Sequence, residues 1–381
     1  MSRRYRIEIT PATASASASQ AGVFGAKQTQ DAGLPAAFKP FFPMDSAPDG
    51  ATSNTSFLDI ELDLNSNSDS TMNQGSQMVT IRGVTPQMIS QVNSLNGMQI
   101  AVYGGFAKGM PLATAMAATG FSPLVKGTIF GAIGNWVGTD LYISLPIIPA
   151  DGVGIVDSSG SVQYPNLTIN GKRGEKWSAV IARSLAQAMP NVKSVIDVRD
   201  QLVLSEDLQG TGYSLDALGQ LWAAESKSIL GSDPNYRGVW VAWRAGVLYI
   251  TDNTSAPGTK SINLKAEQLL GNPAWTSPLQ MQIVCPMRSD IYINDTVVVP
   301  QDALALAPAT VTTGQYAAAN NASASSLAGN YLVVGIRHLG RARSPEALDW
   351  ATIIDLAYMG GATSTASTND GTQPFGQKTG A

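Results

Sequence analysis

LGNPAWTSPLQMQIVCPMRSDIYINDTVVVP, residues 270–300, carries the clearest structural signal in the chain. Apolar residues alternate with others between positions 279 and 285, and a period of two places one apolar face on a β-sheet. Asn294 and Asp295 lie between β-branched runs and predict a tight hairpin turn, because short polar side chains tolerate positive φ. Pro286 predicts a bulge or a change of strand. The segment therefore predicts a curved antiparallel sheet of the kind that forms a barrel wall.

The composition is poor in charge. Charged residues make up 14% of the 381 residues, against about 25% in an average soluble protein. Such a surface suits a protein that buries much of itself against partners better than it suits a free monomer. The net charge of −4 gives no general attraction to nucleic acid or to anionic lipid. Cys285 is the only cysteine, so an intrachain disulfide is excluded, and its place in the alternation predicts a buried side chain.

The period of the apolar residues divides the rest of the chain. Residues 57–64 alternate strictly, which predicts a strand with one wet, acidic face. Residues 175–189 have apolar positions at helical spacing, and Ser214 is a good N-cap for a second helix. A hairpin around Ala245 and Gly246 is assigned to the sheet that follows. The predicted fold class is α+β, mainly β, with two small antiparallel β-barrels and an inserted small α/β module.

The predicted boundaries follow from these patterns. They are the first strand of barrel 1 at 1–10, an extended low-complexity arm or loop at 11–56, β-barrel 1 at 57–150, the α/β insert at 151–234, β-barrel 2 at 235–359 and a flexible C-terminal tail at 360–381.

Neither a leader nor a membrane span is expected. Arg3, Arg4 and Arg6 open the chain, but no apolar segment follows them, so a signal peptide is not predicted. No run approaches about 18 apolar residues, the length that a membrane helix needs.

The sequence offers little for catalysis. His338 is the only histidine and ends a strand without a recognisable nucleophile motif, which argues against a triad or a zinc site. Glu206 and Asp207 could in principle hydrolyse a glycoside, but neighbouring residues on a strand face opposite ways and their surroundings resemble a solvated loop. We therefore predict a protein that is not an enzyme and that has no cofactor and no metal.

Three groups are candidates for contacts. Asp59, Glu61 and Asp63 form the acidic strand face, which either lines a lumen and repels DNA or is an ordinary solvent face. A basic cluster follows later, which either contacts an acidic partner or nucleic acid or is a solvated turn. Aromatic residues in the arm either anchor it on a neighbouring subunit or fold against their own barrel. The cluster is Arg337, His338, Arg341 and Arg343, and the aromatic residues are Phe38, Phe41 and Phe42.

Three segments together resemble the central baseplate hub proteins of contractile-tailed bacteriophages. Residues 59–84 with LNGMQIAVYGGFAKGMPL and GTIFGAIGNWVGTDLYISLPIIP are similar to the first hub barrel. LTINGKRGEKWSAVIARSLAQAMP is similar to the inserted module. LLGNPAWTSPLQMQIVCPMRSDIYINDTVVVP and YLVVGIRHLGRARSPEALDWATIIDLAY are similar to the second barrel. Arg341 stands where the family has an acidic residue, and residues 11–56 lie outside the resemblance.

The resemblance implies a function. Hub proteins are homotrimers in which each subunit contributes two tail-tube-like barrels, so that three subunits make a pseudo-sixfold ring. That ring adapts the sixfold tail tube to the threefold spike and lines the channel through which double-stranded DNA is ejected, without sequence-specific binding. The expected partners are the tail tube protein, the tail spike protein and other baseplate proteins.

The expected location is the tail baseplate of a virion assembled in the host cytoplasm. One alternative is a tail-associated cell-wall-degrading, carbohydrate-active enzyme. A second alternative is a secreted β-rich adhesin.

Overall fold

The computed structural model of the chain is mainly β. It describes residues 3–11, 33–46, 58–67, 77–106, 122–149, 155–156, 162–163, 167–190, 192–213, 215–230, 236, 238–252, 261–271, 273–277, 280–299 and 329–359. The predicted tail at 360–381 and most of the predicted arm lie outside these residues.

Eight strands precede the predicted insert: β1 (Arg3–Thr10), β2 (Met44–Asp45), β3 (Asp59–Asn67), β4 (Gln77–Arg82), β5 (Gln99–Phe106), β6 (Val125–Ile129), β7 (Ile133–Val137) and β8 (Asp140–Ile148). The next seven are β9 (Ile155–Val156), β10 (Val162–Gln163), β11 (Leu167–Gly171), β12 (Ser194–Asp197), β13 (Leu208–Tyr213), β14 (Trp240–Arg244) and β15 (Val247–Thr251). The last six are β16 (Ser261–Asn263), β17 (Ala274–Ser277), β18 (Gln280–Pro286), β19 (Thr296–Val299), β20 (Gly329–Arg341) and β21 (Trp350–Tyr358). The α-helices among the described residues are α1 (Pro86–Ser90), α2 (Trp177–Ala188) and α3 (Leu215–Leu230).

Fourteen strands of the described part of the chain join in one large sheet. Its order is β17-β18-β21-β20-β3-β4-β8-β6-β5-β1-β2, with β19 on β20, β16 on β19 and β7 on β8. The strands up to β8 form the first half and the strands from β16 onward form the second half. All of its pairings are antiparallel except β16 with β19. The predicted mainly-β fold class is confirmed.

The two predicted barrels are connected differently from what the sequence suggested. Among the pairings of the described residues, none closes either half into a separate barrel. The halves are instead joined edge to edge, because β3 pairs with β4 on one side and with β20 on the other. A local apolar period shows that a strand exists but does not show which edge it will meet, and this explains the difference.

The first half follows its sequence pattern closely. Ile60, Leu62 and Leu64 on β3 are buried, whereas the residues between them remain partly exposed. The short helix α1 begins directly after Thr85, whose hydroxyl oxygen accepts a hydrogen bond from the Met88 amide at 3.2 Å. The first core therefore lies beneath the alternating strands and α1.

The predicted α/β insert has its own core. Helices α2 and α3 bury apolar side chains that include Trp177, Leu185, Leu218 and Trp222. Beneath α2 lies the antiparallel pair of β11 and β13, and near α3 lies a sheet in the order β12-β15-β14.

The hairpin of β14 and β15 requires a correction. Its sequence predicts that it belongs to the second barrel, but β15 pairs in parallel with β12 of the insert. The turn itself is as predicted, since Ala245 and Gly246 have φ values of 49° and 83°. Its strand β14 has two buried faces: Val241 packs in the core of the insert and Ala242 in the core of the second half. One strand is thus a wall shared by two cores.

The segment around Asn294 also differs in part. Asn294 has a φ of 73°, as a turn there predicts. Residues 291–293 are not a strand, however, and β19 pairs with β20 instead of returning along them. The reason is that Asn294 and Asp295 hydrogen-bond through their backbones to Val333 of β20 at 2.8 and 3.0 Å. The turn is therefore held against the next strand of the sheet.

Arg244 fastens the shared wall to that turn. Its guanidinium is 3.5 Å from the Asp295 carboxylate, donates to the Ile293 carbonyl, and lies 5.1 to 5.8 Å from three ring centroids. The three rings belong to Trp240, Tyr249 and Tyr292. Burial lowers the pKa of Arg244, and the neighbouring Asp295 opposes that shift.

Replacing Arg244 by methionine should destabilise the fold strongly. The change leaves the buried Asp295 carboxylate without its guanidinium, and breaking a buried pair in this way costs about 3–5 kcal/mol. Urea unfolding measures the difference. The matched control is Lys265→Met, which removes the exposed pair with Glu267 and should cost less than about 1 kcal/mol. Equal losses for the two variants would contradict the structural role of Arg244.

Candidate functional site

The junction of the two halves brings together most of the residues that the sequence singled out. Strand β20 is 13 residues long and pairs with β21 along one side. On its other side it pairs with β19 up to Leu332 and then with β3, from Gly335 opposite Asn67 to Arg341 opposite Glu61. We call this β3–β20 junction, with the side chains that pack across it, the seam.

The inner face of the seam is apolar. Trp350 and Met287 belong to the second half, yet both are fully buried in the core of the first half. The Trp350 indole N–H donates to the Gly105 carbonyl at 2.7 Å. Two glycines make room: a Cβ on Gly104 would lie 2.5 Å from the Met287 sulfur, and one on Gly340 would lie 2.9 Å from the Trp350 ring. The second half therefore completes the core of the first.

The outer face of the seam carries the charges. Arg337 of β20 donates two hydrogen bonds to the Asp63 carboxylate, at 2.9 and 2.8 Å. Glu61 accepts from Arg82 of β4 at 3.1 Å and is 3.8 Å from the Arg341 guanidinium. The acidic strand face and part of the basic cluster, which the sequence presented as two separate surfaces, thus form one charge-compensated face.

The ion pairs of this face are partly exposed and contribute little stability. The Arg337 and Asp63 side chains are 48% and 44% exposed, and such pairs contribute about 0–1 kcal/mol. The hydrogen bond to Asp63 raises the pKa of Arg337, and the one to Glu61 raises the pKa of Arg82. Asp59 lies opposite Arg82 in the register, and its carboxylate accepts from the Ile60 amide at 2.9 Å. These pairs fix the charge pattern of the face, whereas the inner face holds the halves together.

Arg3 closes the seam from the N-terminal strand, and the sequence analysis missed this role. Its guanidinium donates to the carbonyls of Arg341 and Glu346 and lies 5.9 Å from the Trp350 ring centroid. No local pattern identifies such a contact, because the partners are more than 330 residues away along the chain.

His338 is not available to a partner, which corrects its assignment to a contact surface. Alternation along β20 turns Arg337 and Arg341 outward and His338 inward, where it is only 6% exposed. Its Nδ1 lies 2.9 Å from the Thr352 hydroxyl, which also accepts from the Arg288 amide at 3.1 Å. Burial lowers the pKa of His338 to about 4. Arg343, by contrast, is exposed in the turn that follows β20.

The three phenylalanines of the predicted arm pack on their own chain. Phe38 is fully buried in the first core, and Phe41 and Phe42 pack against that core. The rings of Phe38 and Phe42 are 6.1 Å apart. These residues therefore fold against their own sheet and do not reach out to anchor the arm on a neighbouring subunit.

Glu206 and Asp207 lie on the surface of the insert. Both are exposed, and the Asp207 carboxylate accepts from the Arg173 amide at 2.7 Å. Within the part of the chain that the structure describes, no three side chains of His, Cys, Asp or Glu are grouped to hold a metal ion. Nor is any helix among those residues long and apolar enough to span a bilayer.

Comparison with known proteins gave matches only among solved structures. No family model matches the chain, and no curated protein matches it. A tail protein from Neisseria meningitidis MC58 is 10% identical with a TM-score of 0.41, over 79% of this chain and 96% of that one. The 43 kDa tail protein of prophage MuSo2 from Shewanella oneidensis is 10% identical with a TM-score of 0.43, over 79% and 97%.

A third similar structure is the c3393 protein of E. coli. It is a component of the type VI secretion system with structural similarity to the T4 bacteriophage tail proteins gp27 and gp5. It is 12% identical with a TM-score of 0.42, over 81% of this chain and 75% of that one. All three are tail proteins or are described by their similarity to tail proteins.

The substitution Trp350→Phe should destabilise the fold more than removal of the ion pair between Arg337 and Asp63 does. The variant leaves the Gly105 carbonyl without its donor and opens space in the first core, at a cost of about 2–3 kcal/mol. The comparison variant Arg337→Gln removes only a partly exposed pair and should cost less than about 1 kcal/mol. Urea unfolding of both variants gives the order, and the reverse order would overturn the division between the two faces of the seam.

His338 should make stability depend on pH. Its pKa is about 4 in the folded chain and about 6.5 in an unfolded one. Between these values the unfolded chain binds more protons, so the free energy of unfolding falls as the pH falls. The loss should reach about 2–3 kcal/mol between pH 6.5 and 4.5.

Since His338 is the only histidine, the variant His338→Gln isolates this effect. Carboxylates contribute alike to both proteins, so the difference between their urea unfolding curves at pH 7 and pH 4.5 belongs to the imidazole. Parallel pH profiles for the two proteins would refute the assignment.

Proposed function

We propose that this chain is a structural hub of a contractile phage tail baseplate. The observation that carries the proposal is the seam: two β halves of one chain are joined edge to edge, and Trp350 of one is buried in the core of the other. A subunit built in this way contributes two wall segments in a fixed mutual orientation. Three subunits around an axis would present six segments, which suits an adapter between the sixfold tail tube and the threefold spike.

The composition supports an assembled protein. A chain with only 14% charged residues has little to keep a free monomer in solution, and large apolar side chains such as Trp136, Val137 and Leu348 are exposed. Closed cyclic symmetry would bury repeated surfaces of this kind. In this proposal the partners are two further copies of the chain, the tail tube protein, the tail spike protein and other baseplate proteins. The protein then resides in the tail baseplate of a virion assembled in the host cytoplasm.

The charge-compensated face suits a channel for DNA. In the proposed ring, Asp59, Glu61 and Asp63 line the lumen together with Arg82 and Arg337, which neutralise two of the three carboxylates. Salt screens exposed charges beyond about 8–10 Å, so phosphates would meet neither a continuous cationic surface that retains them nor a continuous acidic one. Double-stranded DNA would pass without sequence-specific contacts.

The mass of the purified protein tests the proposal. Sedimentation or native mass spectrometry should give three times the 39.9 kDa mass of the chain. Electron microscopy of the same sample should show a ring with six wall segments and threefold symmetry.

A stable monomer that joins neither tube nor spike protein would contradict the proposal. Hydrolysis of bacterial cell walls, measured as a fall in turbidity, would also contradict it if the activity disappears in Glu206→Gln or Asp207→Asn. These two variants remove the exposed carboxylates on which the alternative hypothesis of an enzyme depends, and they should leave the mass of the trimer unchanged.

A further inference from the structure

The tip of the β7–β8 hairpin exposes apolar side chains on both of its faces. Ile133, Trp136 and Val137 are 53%, 67% and 63% exposed, and they stand among the few large apolar side chains so exposed in the described part of the chain. Because side chains alternate along a strand, Trp136 points to one face of β7 and the other two point to the opposite face. Apolar residues this exposed at a projecting tip are typical of an interface.

The tip is held in place before any partner binds. Gly134 at the base of the hairpin packs so closely on α1 that a Cβ there would lie 2.9 Å from an Ile89 methyl carbon. The turn uses Gly138, whose φ is 61°, and the Trp136 indole N–H donates to the Gly138 carbonyl at 3.0 Å. Asp140 is the only charged residue between positions 127 and 150. The tip is therefore a rigid apolar projection with one carboxylate.

The turn after β20, residues 341–349, has the complementary character. Leu348 is 59% exposed, and Arg343 of the same turn is also exposed. Arg3 is hydrogen-bonded to the backbone of the same turn. Arg3, Arg341 and Arg343 bring three guanidinium groups to this turn, which also holds the carboxylates of Glu346 and Asp349. Arg341 is 3.8 Å from Glu61 of the seam, so Arg343 is the exposed cation that the turn offers to a neighbouring copy.

Both surfaces lie at the same end of the sheet. At the end of the sheet where the turn lies, Arg341 of β20 is opposite Glu61 of β3. Two residues along β3, Asp59 is opposite Arg82 of β4, and Arg82 is opposite Tyr142 of β8, which lies near the hairpin turn. The strands β3, β4 and β8 separate the turn from the tip, which corresponds to roughly 19 Å at the usual strand spacing of about 4.8 Å. A rotation without translation along the strands can therefore bring the tip of one copy to the turn of the next.

We propose that the tip of the β7–β8 hairpin docks on residues 341–349 of a neighbouring copy of the same chain. Val137 packs on Leu348, and its cross-strand neighbour Asp140 faces Arg343. Two different surfaces of one chain that meet head to tail generate a closed ring when the rotation closes. The inference rests on the proposed ring and names the surfaces that form it.

Paired cysteines test the contact. One copy carries Val137→Cys, and a copy with a different tag carries Leu348→Cys. Urea unfolding first checks that each variant has the same midpoint as the parent protein. The two proteins are then mixed and oxidised mildly. Cys285 is buried with a pKa raised to about 11, so it should not compete. The expected product is a disulfide between the two tagged chains, and a chain with both changes should form a covalent ring.

The control is Met78→Cys. Met78 lies on β4 away from the tip and is 39% exposed in the parent, and the variant should give no product with Leu348→Cys.

The outcomes separate this inference from the proposed function. A protein that has the trimer mass but gives no mixed disulfide overturns the inference and leaves the hub proposal standing. Disulfides between two Val137→Cys chains, or between that cysteine and a different tail protein, also overturn it. A monomer that binds neither tube nor spike protein removes the hub proposal and this contact together.

Discussion

Trp350 places a large aromatic side chain of the second half inside the core of the first, and the rest of the architecture depends on that burial. The indole can occupy the site only because Gly340 leaves it room and because the Gly105 carbonyl satisfies its N–H. Met287 enters the same core beside Gly104. Two halves that share a core cannot rotate freely against each other, so the chain behaves as one rigid body and not as two domains on a tether.

The outer face of the same junction has a different physical basis. Its guanidinium and carboxylate groups are partly exposed, where ion pairs contribute little to stability. What they determine is the potential of the face, since Arg337 and Arg82 pair with Asp63 and Glu61 across neighbouring strands. Apolar packing inside and charge compensation outside are thus separate consequences of one strand register.

Alternation and turn signals made much of the fold predictable. The period of two in β3, the helical spacing of α2 and the positive φ at Asn294 are local effects that a sequence displays directly. The contacts that make the candidate site are not local. Nothing near Arg3 indicates that it reaches Glu346, and nothing near Asp63 indicates that Arg337 will neutralise it. His338 was predicted at a contact surface because it lies between two residues that point outward. Whether a residue points inward depends on the phase of the alternation along β20, which the local sequence does not reveal.

The two buried faces of β14 have a consequence for how this protein could change over time. Val241 serves the core of the insert and Ala242 serves the core of the second half. The insert is therefore not a cassette that can be excised at its ends, because its removal would strip one wall from the neighbouring sheet and leave Asp295 without Arg244. Any shortened descendant of this chain would have to keep the β14–β15 ribbon or rebuild the surface that it covers.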